Sequence, residues 1–145
     1  MRGPRSRFCR IPVIRTLLLA VESFLMLAWV RLVLRVSPRL ALRGVLDVPS
    51  HGREVDARLL HVFGRVTSRT PLAHNCMHRS LALQRMLARR GVAAKLCIGI
   101  GRKPNLFPGH AWLEVDGVVV NDDADVVSRY VPLMISQSAL EVTYR

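Results

Sequence analysis

The sequence predicts an α+β fold, with helices as far as residue 90 and an antiparallel sheet after them. Three observations carry this prediction. Apolar residues recur at helical spacing up to Arg90, the pattern then switches to alternation, and Asp116-Gly117 offers a hairpin turn between two alternating runs. At 145 residues and 50% apolar content, the chain is long enough for one compact core.

The N-terminus, MRGPRSRFCRIPVIR, is basic, and an apolar run from Leu17 to Val30 follows it. That pairing imitates a secretory signal or a membrane anchor. The run is shorter than the roughly 20 apolar residues a spanning helix needs. It also contains Glu22 and Ser23, and it leads into Arg31 and Arg35 rather than a small-residue cleavage site. A helix packed on the domain is expected, with a partner protein or a membrane surface as the other uses for an apolar middle. Ser37-Pro38 ends the helix, because the residue before proline is pushed out of the helical region. The turn-rich stretch from Asp47 to Gly52 then divides residues 1–46, a basic segment with an apolar helix, from a domain of residues 47–145.

From Glu54 to Val66, the residues Val55, Leu59, Leu60, Val62, Phe63 and Val66 mark an amphipathic helix, with Arg58 and Arg65 on its other side. His61 reads as a surface or packed histidine. In the next helix Asn75 is the N-cap, Cys76 the first helical residue, and Gly91 the left-handed stop after Arg90. On a helical wheel Cys76 shares a face with Ser80, Leu83 and Leu87, all within about 60° of one another, which turns the cysteine inward. At a helix N-terminus the dipole and unpaired backbone N–H groups stabilise a thiolate, and the Cys76 N–H can serve as an oxyanion donor. The plainer alternative is a small buried hydrophobe, the usual lot of a free cysteine.

The alternating run Ala93 to Ile100 reads as a strand in which Cys97 is a core residue. A turn-rich loop from Gly101 to Gly109 leads into a second strand, His110 to Val115, which Asp116-Gly117 returns through Val118-Val119-Val120 to Asn121-Asp122-Asp123. If Asp116-Gly117 is a two-residue turn, His110 lies opposite Asp123. If a glycine bulge shifts the pairing, it lies opposite Asp122. In either register a carboxylate can orient the imidazole, as the third member of a nucleophile, base and orienter set does.

The formal charge of +12 comes almost wholly from arginine and predicts an acidic partner, which could be nucleic acid, an anionic membrane or an acidic peptide. Three cysteines, Cys9, Cys76 and Cys97, form no disulfide framework and point to a reducing, cytoplasmic setting.

The segments Asn75-Cys76-Met77-His78-Arg79-Ser80-Leu81-Ala82-Leu83, Arg90-Gly91-Val92-Ala93-Ala94, Gly109-His110-Ala111-Trp112-Leu113-Glu114-Val115-Asp116-Gly117 and Asn121-Asp122 resemble the lasso-peptide biosynthesis leader peptidases. These belong to the transglutaminase-like branch of the papain-type cysteine enzymes. The resemblance covers roughly residues 54 to 135 and is specific as a combination of motifs. It implies a cysteine protease core, a helix-borne Cys packed on an antiparallel sheet. Cys76 would be the nucleophile, His110 the general base and then acid, and Asp122 the orienter, with no cofactor and no metal. It also implies removal of a leader from a ribosomally made precursor peptide, ahead of macrolactam closure by an ATP-dependent cyclase. Some family members carry a fused leader-recognition domain. The first 45 residues here read instead as an apolar helix, so a separate recognition protein is the expected partner and that helix a candidate docking surface. Family members that form isopeptide bonds make an acyltransferase the alternative.

Two rival readings are weaker. A zinc site from His74, Cys76 and His78, joined by Cys97 and His110, is weakened by helical geometry, since His78 falls about 160° from Cys76 in a regular helix, and stoichiometric zinc by metal analysis would revive it. A basic nucleic-acid-binding module lacks aromatic interleaving and any C2H2 or helix-turn-helix signature.

Overall fold

The computed structural model describes residues 10–37, 54–73, 75–103, 105 and 109–133. Helix α1 spans Arg10–Val36, 27 residues, about 40 Å at 1.5 Å per residue. Only one face of it enters the core. Ser23, Met26, Leu27 and Val30 are buried, and the Ser23 hydroxyl donates to the Leu19 carbonyl at 2.6 Å instead of competing for solvent. Glu22 leaves this interface through a two-pronged pair with the Arg90 guanidinium, at 3.0 and 2.6 Å. The hydrogen bonds from Arg90 hold the Glu22 carboxyl below the ordinary carboxylate range.

The expectation of a run too short to span a membrane is corrected here. Aliphatic residues continue past the isolated arginines, so Val13–Val36 gives 24 residues long and apolar enough to cross a bilayer. The boundary expected at residues 46 and 47 lies outside the described residues. Helix α1 nevertheless shares one core with the helices that follow that boundary.

Helix α2, Ala57–Thr67, starts where the Asp56 carboxylate accepts the Arg58 N–H at 2.9 Å, and it buries Leu59, Val62 and Phe63. His61 is exposed on it. After a 3₁₀ turn at Pro71–Ala73 comes helix α3, Cys76–Ala88, whose N-cap Asn75 accepts the Met77 N–H at 2.9 Å. It ends as its sequence demands. Gly91 takes a φ of 74°, and the Gly91 and Val92 N–H groups return to the carbonyls of Ala88 and Leu87.

The sheet has four antiparallel strands in the order β3-β2-β1-β4. Strand β1, Lys95–Gly101, pairs with β2, Gly109–Val115, from Lys95↔Glu114 to Ile100↔Gly109. Strand β3 is only Val118–Val119. A short helix α4, Val126–Arg129, feeds β4, Tyr130–Pro132, back onto β1. Leu113 and Val115 join the main core with α1 to α3. The alternate residues Cys97 and Trp112 form a smaller cluster with Val126 and Tyr130. Gly99 makes room for that cluster, since a Cβ there would stand 2.9 Å from the Val131 carbonyl oxygen and 3.0 Å from the Trp112 ring.

Candidate active site

Cys76 is the first residue of α3 and is partly exposed, its sulfur 3.9 Å from the Asn75 side-chain oxygen. Ser80, Leu83 and Leu87 on the same helical face are buried, as the wheel predicts. Two contacts fix how α3 lies on the sheet. Ser80 Oγ donates to the Ala111 carbonyl at 3.0 Å, and Gln84 Nε2 donates to the Ala94 carbonyl at 2.8 Å, next to the Lys95↔Glu114 pair. Helix α3 therefore runs in the same direction as β2. Cys76, one turn before Ser80, stands toward the end of the sheet where β2 begins and His110 lies.

His110 is brought together with Asp122: the imidazole Nε2 and the carboxylate Oδ2 are 2.5 Å apart, and both side chains are largely buried. An ionised carboxylate only accepts, so Nε2 is the donor in this pair, and in the neutral ring the lone pair then falls on Nδ1. That is the tautomer a general base requires.

The hairpin answers the register question in an unexpected way. Asp116 (φ 50°) and Gly117 (φ 79°) form the two-residue turn, and Val115 pairs with Val118. Continued strictly, that register sets His110 opposite Asp123, yet Asp122 is its partner. The ladder stops early. After the Val120 N–H bonds the Leu113 carbonyl at 3.0 Å, the chain turns away, and the Asn121 side chain rather than a main-chain carbonyl accepts the Leu113 N–H at 2.7 Å. Asp123 is left with an 83% exposed side chain, its own N–H donating to Asp122 Oδ1 at 2.8 Å.

The departing strand leaves the Ala111 carbonyl without a ladder partner, and Ser80 supplies one. Asn121 Nδ2 donates to Ser80 Oγ at 2.9 Å, so an unbroken relay runs from the Leu113 N–H through Asn121 and Ser80 to the Ala111 carbonyl. It binds the helix carrying Cys76, the strand carrying His110 and the segment carrying Asp122 into one unit.

Three further residues bear on the site. The Tyr130 ring stacks on His110 at 4.8 Å between centroids, and Trp112 lies beyond at 6.3 Å. The Arg129 guanidinium reaches Asp125 at 3.0 Å, Asp123 at 3.5 Å and Asp122 at 3.8 Å, a cation beside the orienting carboxylate. Sequence reasoning missed both Tyr130 and Arg129, because α4 and β4 are only four and three residues long and carry no periodic signal of their own. A cleft of about 390 Å³ opens beside Asp122, with Leu60, Phe63, Leu83 and Val120 as apolar lining and Arg79 and Asp123 as charged lining.

Cys97 is the buried core residue expected, its thiol pushed up to about 11 by burial and by the nearby Glu114 carboxylate. His78 is partly buried on α3. Burial, and then the charge of Arg31 on α1, holds its imidazole below the ordinary histidine value. Among the described residues no three His, Cys, Asp or Glu side chains are grouped to hold a metal, and His74 of the rival zinc set lies outside them.

An imidazole oriented by a carboxylate, at the sheet end reached by a helix-N-terminal thiol, is suited to acyl transfer through a thioester. Residues 18–135 match the profile of the transglutaminase-like superfamily. The chain belongs to that superfamily. A transglutaminase-like match beginning at residue 18 takes in most of α1, which the resemblance over residues 54 to 135 left aside. The chain is also similar to the microcin J25-processing protein McjB of Escherichia coli, 44% identical over 48 residues, which is 33% of this chain and 22% of that protein. It thus aligns with about a fifth of the length of this curated relative. No solved structure matches.

Proposed function

We propose that the protein is a cysteine peptidase that removes the leader from a lasso-peptide precursor. The observation that carries this reading is the His110–Asp122 pair at 2.5 Å, held by the Asn121–Ser80 relay at the end of the sheet toward which Cys76 points its helix. Similarity to a microcin-processing protein supports the substrate class.

His110 Nδ1 takes the proton of the Cys76 thiol, and the thiolate attacks the scissile carbonyl carbon. The Cys76 N–H, at the first turn of α3, is one donor to the resulting oxyanion. Collapse breaks the C–N bond, and His110 returns its proton to the departing amine of the core peptide. The leader remains as a thioester on Cys76, which water, deprotonated by His110, hydrolyses. Asp122 holds the imidazole in the working tautomer throughout, and the positive charge formed on the ring lies against its carboxylate. The cleft beside Asp122, with both Arg79 and carboxylates in its walls, suits one stretch of an extended peptide.

A separate leader-recognition protein and an ATP-dependent cyclase complete this reading as partners, in the cytoplasm. Mass spectrometry of a candidate precursor peptide, incubated with the protein and a recognition protein encoded beside it, tests the proposal. Wild type should yield a free leader carboxylate and a free core amine. Cys76→Ala and His110→Ala should each lower the cleavage rate at least about 10³-fold. An alanine variant at Cys76 that still cleaves would end the proposal.

A further inference from the structure

Helix α1 is apolar along two opposite faces, and the fold buries only one of them. Opposite the face that buries Ser23, Met26, Leu27 and Val30, a second stripe at helical spacing faces water. Ile14, Leu17, Val21, Leu25 and Leu32 are between 53% and 60% exposed, with Trp29 beside them at 44%. Only 22% of the most apolar 18-residue stretch within Val13–Val36 is buried inside the protein. From Val13 to Trp29 this outward face carries no hydrogen-bonding side chain apart from the Trp29 indole. Apolar patches of this extent are uncommon on soluble monomers and mark a surface that meets something else.

We propose that the outward face of α1 is a docking surface that seats the protein on an anionic lipid bilayer, the helix lying in the interface rather than crossing it. Charge selects the occupant. Residues 1–45 contain nine arginines and one acid, Glu22, and so hold eight of the chain's twelve net positive charges. Arg15, Arg31 and Arg35 border the stripe, and all three are exposed. An apolar band edged by cations, with an aromatic ring at its margin, is the pattern of an interfacial helix on acidic lipids. A second copy of this chain would bring two such cationic segments together. A protein partner's interface ordinarily includes about one hydrogen bond per 100–200 Å², which this face is not built to make.

The opposite face explains the orientation. Met26, Leu27 and Val30 are locked into the core shared with α2 and α3, and Glu22 is clamped by Arg90. Spanning would require peeling those contacts apart, whereas lying flat leaves them in place and buries only what is already exposed.

Flotation of the full chain with vesicles of phosphatidylcholine alone, or with about 30% phosphatidylglycerol added, tests this. The protein should float with the anionic vesicles and not the neutral ones, and about 0.5 M salt should release it in part. Trp29 should shift its emission to the blue on binding, while Trp112, 1% exposed, contributes a constant background. A triple variant, Leu17→Glu, Val21→Glu and Leu25→Glu, alters only exposed side chains. It should keep the wild-type circular dichroism and urea midpoint while its vesicle-bound fraction falls at least about tenfold. No flotation with either vesicle, equal flotation with both, or undiminished flotation of the folded triple variant would overturn the proposal. So would a dimer by light scattering that the triple variant dissolves, which would assign the face to a second copy. Cys76→Ala should bind as wild type does, so this test and that of the peptidase reading fail independently.

Discussion

Replacing Ser80 by alanine removes a hydroxyl that is fully buried and used twice, as donor to the Ala111 carbonyl at 3.0 Å and as acceptor from Asn121 Nδ2 at 2.9 Å. No water can take its place without a cavity larger than one oxygen atom leaves. Each orphaned partner costs about 1–3 kcal/mol when buried, and allowing for partial relaxation the substitution should destabilise by about 2–4 kcal/mol. For a chain of this size that corresponds to a fall in Tm of roughly 6–15 °C. Asn121→Ala strands the Leu113 N–H as well as Ser80 and should cost a similar amount, again about 2–4 kcal/mol. The two losses should not add. Their shared hydrogen bond is lost only once in the double variant, which should fall short of the sum by about 1 kcal/mol or more. Urea unfolding followed by Trp112 fluorescence, with Trp29→Phe as the common background, measures all four corners of the cycle. A Ser80→Ala variant within about 0.5 kcal/mol of its parent, or strict additivity, would show that the relay does not hold these elements together.

Other perturbations have equally definite expectations. Gly99→Ala must displace the β4 backbone or the Trp112 ring, and the cost should be about 1–3 kcal/mol with a weakened near-ultraviolet Trp112 signal, because the nearest obstacle is a main-chain oxygen. Cys97 should stay unmodified when the folded protein is treated with iodoacetamide at mildly alkaline pH while Cys76 is labelled, as peptide mapping will report, because burial pushes the Cys97 thiol up to about 11. Labelling of both at the same rate would contradict that placement. His78 should make the fold acid-sensitive. Its imidazole is held below the ordinary value by burial and by Arg31, so the unfolded chain binds that proton more readily. The stabilisation from neutral His78 is complete above the unfolded value of about 6.5 and is lost progressively as pH falls below it. The urea midpoint of His78→Gln, compared with wild type on each side of that pH, isolates the effect.

Much of this could be read from the chain because the relevant signals are local. Asn75, Gly91 and Asp116-Gly117 act through one or two peptide units, and the cap, the left-handed stop and the hairpin turn stand where the sequence sets them. Cys97 was legible as core because nothing near it in sequence would activate it. The end of α1 before Ser37-Pro38 was legible, but the length of its apolar stretch was not, since single arginines look like breaks in an apolar run although a helix projects them aside without ending. Strand β4 was hidden for another reason. Three residues, Tyr130–Pro132, have no period, and they become a strand only because β1 offers an open edge. Tyr130 and Arg129 therefore reach His110 and Asp122 by topology, which no spacing rule foretells.

The choice between Asp122 and Asp123 shows how far register arithmetic can be carried. The two-residue turn is as the dipeptide predicts, and a ladder continued from it leads to the wrong carboxylate. A strand continues only while each residue gains more from the ladder than from an alternative, and at Asn121 a side-chain amide offers one. Its oxygen satisfies the Leu113 N–H and its nitrogen the Ser80 hydroxyl, so the main chain can leave the sheet with no buried donor abandoned. Leaving there rather than two residues later is what brings Asp122 onto the imidazole. Asn121 thus does for Asp122 what Asn75 does for Cys76: a short amide side chain substitutes for a peptide group where regular structure stops. An Asn121→Asp substitution, which keeps the acceptor and loses the donor to Ser80, should preserve the early exit of the strand while loosening α3. The His110–Asp122 hydrogen bond, read from the imidazole proton resonance, should then survive in Asn121→Asp and disappear in Asn121→Ala. Its loss in both would mean that the position of Asp122 depends on the tie to α3, and its survival in both that the strand leaves the sheet for some reason other than Asn121.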